Sequence, residues 1–171
     1  MTKTIWCILF CLTCASNSAA QSLTRGTLTP ILGFENNTRS GVFPAGWQGT
    51  SAGIVTDNKI VHSGNYSARI ERNVSSSGTF STLTATIPLD FAGKTIQWRG
   101  FIKWANVNGF VALWLREDGA STTSLQFATL QGLNLGGTQD WVRYSISVPA
   151  VPRRKVSLFR FPGLGYGHRL G

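Results

Sequence analysis

The stretch KTIQWRGFIKWA, residues 94–105, constrains the fold more than any other part of this chain. Ile96, Trp98, Gly100, Ile102 and Trp104 occupy every second position, with Gln97, Arg99 and Lys103 between them. Successive side chains of a strand point to opposite faces, so this spacing predicts an antiparallel strand packed on one side and wetted on the other. Trp98 and Trp104 share the apolar face and are expected in the core, because burying one large ring contributes roughly 2 to 3 kcal/mol.

The same period recurs along the chain. Val142, Tyr144, Ile146 and Val148 alternate with Arg143, Ser145 and Ser147, and Tyr66, Ala68 and Ile70 form a third inward set. A Thr-rich strand is predicted over TFSTLTATIP, ended by Pro88, and a central strand over VNGFVALWLRED. Shorter strands are predicted at 31–35, 54–57 and 124–129. Helix-forming residues never recur at helical spacing over a useful length. The fold class is therefore all-β, and eight or so short strands between turn signals are most economically arranged as a two-sheet antiparallel β-sandwich.

At the N-terminus, Lys3 precedes a short apolar run and then small residues at Ser18, Ala19 and Ala20. That pattern reads as a signal peptide over residues 1–20, with a β-sandwich domain over 21–150 and a basic tail over 151–171. Export follows as the expected localisation, extracellular or periplasmic. Cys7, Cys11 and Cys14 all lie in the leader, so no disulfide is expected in the domain. No apolar run is long enough to span a membrane as a helix. The formal net charge of +9 is unevenly placed: residues 21–150 carry ten Lys or Arg against seven Asp or Glu, while 151–171 carry five basic residues and no acid. This distribution does not suggest specific nucleic-acid binding.

His62 and Ser63 raise the question of a hydrolase. Adjacent residues on an extended chain point apart, so the pair is better read as a turn in which Gly64 takes a positive φ. The acids are scattered, and no His or Cys spacing suggests a metal site. Glu35, at the end of the first predicted domain strand, is a candidate ligand for a structural calcium ion, against the plainer reading of an exposed strand-end acid. No other cofactor is expected.

The segments ILGFENNTRSGVFPAGWQG and DNKIVHSGNYSARIE together resemble the N-terminal half of carbohydrate-binding-module jelly rolls of the galactose-binding-domain-like class. The segments IPLDFAGKTIQWRGFIKW and GFVALWLREDG are similar to the accessory module ahead of catalytic domains in secreted bacterial peptidases and esterases. The resemblance implies a jelly roll, a structural rather than catalytic role for His62 to Gly64, calcium near Glu35, and a glycan as partner. The tail departs from it, because such modules close with a strand carrying a tryptophan and an acidic pair. Two readings of residues 151–171 stand side by side: a frame-shifted end that lacks the closing strand, or a basic extension with a short strand near 156–161.

The expected function is a secreted, non-catalytic carbohydrate-binding-like or accessory module, a truncated remnant of a larger hydrolase. The alternatives are a small glycan-acting enzyme using a carboxylate pair drawn from Glu117, Asp118 and Asp140, and a surface adhesion protein. The sequence does not name a ligand or an oligomeric state.

Overall fold

The structure is a computed structural model that describes residues 3–9, 29–49, 53–73, 76, 78–87, 93–119, 123–151 and 156–158. The fold is all-β, and the described residues form ten strands in two five-stranded antiparallel sheets. They are β1 (Lys3–Leu9), β2 (Gln48–Gly49), β3 (Ile54–Asp57), β4 (Ser67–Arg72), β5 (Leu83–Ile87), β6 (Thr95–Val111), β7 (Trp114–Asp118), β8 (Ser124–Thr129), β9 (Leu135–Pro149) and β10 (Val156–Leu158). The first sheet has the order β3-β4-β1-β6-β9 and the second β2-β5-β10-β7-β8. Among the described residues, no helix is long and apolar enough to cross a membrane.

The alternation that defines β6 works as expected. Ile96, Trp98, Ile102 and Trp104 are buried, and they join Ile54, Ala68, Ile70, Ile146 and Val148 of the first sheet in one core cluster. Leu83, Ala85, Ile87 and Leu115 of the second sheet enter the same cluster, so both sheets contribute to one apolar interior. The Trp104 indole N–H donates to the Gly136 carbonyl at 3.0 Å, which satisfies the polar edge of a ring otherwise surrounded by apolar atoms.

Three elements differ from the sequence expectation. Residues 29–32 form a helical turn where a strand was expected at 31–35. The Gly33 and Glu35 N–H groups donate to the Thr29 and Pro30 carbonyls at 2.8 and 2.7 Å, and Phe34 takes a φ of 62°. A turn of this kind aims Leu32 and Phe34 inward as effectively as a strand would, and both are buried. β6 also continues through Asn108 and Gly109, where a turn signal was read, because register shifts after Ile102, Trp104 and Val107 absorb extra residues. Positive φ values at Asn106 and Gly109 accompany these shifts, as expected of bulged strands. The central strand of the VNGFVALWLRED segment begins only at Trp114.

Both ends also carry strands. Residues 3–9, within the stretch read as a leader, form β1 between β4 and β6, with Ile5 opposite both Ile70 and Trp104. In the basic tail, β10 lies between β5 and β7, with Ser157 opposite Thr86 and Arg116. A short strand near 156–161 was one of the two readings of this tail.

Residues 29–47 join the core through Leu32, Phe34 and Trp47. Phe34 and Trp47 stack at 5.0 Å between centroids, and the Trp47 indole N–H donates to the Ile31 carbonyl at 2.9 Å. The outer edge of β3 is covered by residues 41–42, because Thr56 N–H donates to Val42 O at 2.7 Å and Gly41 N–H donates to Thr56 O at 2.8 Å. Covering an edge in this way blocks pairing with another chain.

Candidate functional site

The β3–β4 connection, residues 58–66, is held at several points. At its start, Asp57 Oδ1 accepts the N–H groups of Lys59 and Ile60 at 2.8 and 3.2 Å, a local turn of the type Asp side chains form readily. At its base, Ser67 Oγ donates to the Ile60 carbonyl at 2.8 Å and lies 3.4 Å from that of Asp57. At its far end, Glu35 Oε1 accepts from the backbone N–H groups of Asn65 and Tyr66 at 2.9 and 3.2 Å, and Oε2 accepts from Asn65 Nδ2 at 3.0 Å. Gly64 takes a φ of 75°, and a Cβ there would fall 2.3 Å from Glu35 Oε1. The loop therefore needs glycine at this position on both conformational and steric grounds.

His62 adds a further attachment. Its ring stacks on Phe101 of β6 at 3.6 Å and 15°, and meets Trp141 edge-on at 5.7 Å. These ring contacts fix the middle of the loop on the outer side of the first sheet. The predicted turn at His62, Ser63 and Gly64 is present, and the His62 imidazole faces aromatic rings.

The loop encloses one side of an open cleft of about 530 Å3, lined by Asn58, Lys59, Val61, Gly64, Asn65 and Tyr66. That volume lies in the range of small-ligand sites. The lining is mostly polar, with one cation, no carboxylate and two primary amides, and Val61 and Tyr66 are half-buried against the core beside it. Lys59 and Asn58 were not singled out from the sequence, and Tyr66 was read only as an inward strand residue. The signal that would have found them is the density of turn-forming residues in DNK and HSGNY, which marks a structured loop.

The sequence candidates lie elsewhere or have other duties. Glu35 sits behind the loop with its carboxylate on three N–H donors, the arrangement of a loop clamp rather than of a calcium ligand set. No group of three or more His, Cys, Asp or Glu that could hold a metal occurs among the described residues. Glu117 is fully buried on the inner face of β7, where both carboxylate oxygens accept from Val151 N–H at 3.0 and 3.1 Å. Asp118, the next residue, points to the opposite face and is held by the Arg116 guanidinium at 2.7 and 3.0 Å. Asp140 is exposed and pairs with Lys103 at 2.8 Å. The Lys103 hydrogen bond, aided by the Trp141 N–H, holds the Asp140 carboxyl below its ordinary range. The structure gives each of the three acids a different partner.

An all-β molecule with an anchored loop over an open polar cleft is the class that fold and site define. A segment of 92 residues is 33% identical to the uncharacterized HTH-type transcriptional regulator YbfP of Bacillus subtilis (strain 168). The matched segment takes in 53% of this chain and 31% of that relative, so the chain spans about a third of the relative's length. No family model matches the chain, and no solved structure matches it. The likeness overturns the expectation of a secreted carbohydrate-binding or accessory module, because the protein it resembles is named as a transcriptional regulator. The secreted, carbohydrate-binding character read from the sequence is corrected accordingly.

Proposed function

We propose that this chain is a regulator-related domain that accompanies DNA reading without carrying it out. A helix-turn-helix unit requires two helices packed across a short turn, one of which enters the major groove. Among the described residues, helical structure amounts to the turn at 29–32 and the 3-10 helix Gln131–Leu133. The likeness to a regulator of that named type, carried by a β-structured chain, is the observation that supports this reading. The chain's part is then to hold an effector or a partner, for which the cleft lined by residues of the 58–66 connection offers a surface.

Fluorescence anisotropy with a pool of genomic DNA fragments tests the negative half of the proposal. The purified chain is expected to show no sequence preference, and any binding should weaken steeply as salt rises, as phosphate contacts alone do. A sequence-specific complex that survives physiological salt would contradict it.

A further inference from the structure

We infer that the cleft formed by the β3–β4 connection binds a small organic carboxylate with a short apolar body, an inference that rests on the effector-holding role just proposed. Three features of the cleft point to this chemistry. Lys59 is the only charged residue of the lining and forms no ion pair among the described residues, so its ammonium group is available to an incoming anion. Asn58 and Asn65 place amide groups beside it. The second N–H and the carbonyl of the Asn65 amide remain to a ligand after its bond to Glu35. Val61 and Tyr66, half-buried against the core cluster, line the rest of the cleft and give it a small apolar area that a short alkyl body or ring edge could meet.

The anchoring of the loop strengthens the inference. Asp57, Ser67 and Glu35 fix both ends, and the His62 ring on Phe101 fixes the middle. A ligand therefore meets a frame that is already ordered and avoids much of the entropy cost of arranging one. Two acids hold the loop, and both are engaged: Glu35 accepts from three N–H donors, and Asp57 accepts from the Lys59 and Ile60 N–H groups and pairs with Arg69, so the anion-repelling part of their field at the cleft is reduced. A bond between a charged donor and a carboxylate is roughly twice as strong as a neutral one, which makes charge the property to test.

Benzoate and benzamide share a shape and differ in charge, so they serve as the probe pair. Two-dimensional amide NMR of the full chain is expected to show benzoate shifting the signals of residues 58–66 at millimolar concentration, with benzamide at least tenfold weaker. Lys59→Gln should weaken benzoate about tenfold, or ~1.4 kcal/mol, while Lys59→Arg retains it; Lys59 is exposed, so both variants should fold. Equal binding of benzamide, an unchanged affinity in Lys59→Gln, or no response to either probe up to about 20 mM would overturn the site. A silent cleft in a chain whose removal still alters transcription would overturn this inference and leave the regulator reading intact.

Discussion

Glu35 illustrates how a residue's role depends on partners far along the chain. Its carboxylate bonds to residues thirty positions away, a relation that no local pattern discloses. Glu35→Ala should remove three acceptor contacts and cost about 1 to 2 kcal/mol, because the released N–H groups are largely open to water. Thermal unfolding measures the loss, and an unchanged midpoint would remove Glu35 as the clamp. Glu117→Ala should cost more, about 2 to 3 kcal/mol, since the Val151 N–H would lose its acceptor beside a buried cavity.

Tyr144 supplies a pH test at the same scale. Partial burial pushes its phenol above the ordinary value of 10.0, so the folded state holds the proton more tightly than the unfolded state. Its contribution to stability is complete below the unfolded value and is lost as pH rises through the folded one. Difference ultraviolet titration against Tyr144→Phe should place the Tyr144 transition above that of an unfolded reference; a coincident transition would contradict the assigned burial.

At the scale of elements, strands with strict alternation were legible and those shaped by distant contacts were not. β6 and the inward set of β4 follow from period-two spacing, and Trp98 and Trp104 lie in the core as that spacing required. Residues 31–35 alternate equally well as a strand or as a turn with two inward side chains, and only the carbonyls of Thr29 and Pro30 decide between them. The continuation of β6 past Asn108 depends on bulges whose register is set by β9. β1 lies in a segment whose composition suggested a leader, whereas a short strand near 156–161 was one of two readings of the tail; in neither segment does composition say which neighbours a short strand will join. Ser157→Pro tests β10: proline removes a ladder donor between two partner strands and should lower stability by about 1 kcal/mol or more. A variant as stable as the parent, by chemical denaturation, would argue against the placement of β10.

For the whole molecule, charge and fold class excluded less than they first suggested. A net charge of +9 says little about nucleic acid when the excess sits in one terminal segment, and an all-β body is compatible with many functions. The candidate cleft was legible as a structured loop, through its glycine and asparagine, but not as a site, because its lining acquires meaning only once residues 58 to 66 are anchored together. The likeness to a protein named as a regulator came from comparison with another chain, and the described residues that accompany it are almost entirely strands. The most direct measurement is the transcript profile of cells lacking the gene, compared with their parent and with cells supplied with the intact chain. The account predicts reproducible changes in a small set of transcripts, reversed by the intact chain; a profile indistinguishable from that of the parent under all growth conditions sampled would contradict it.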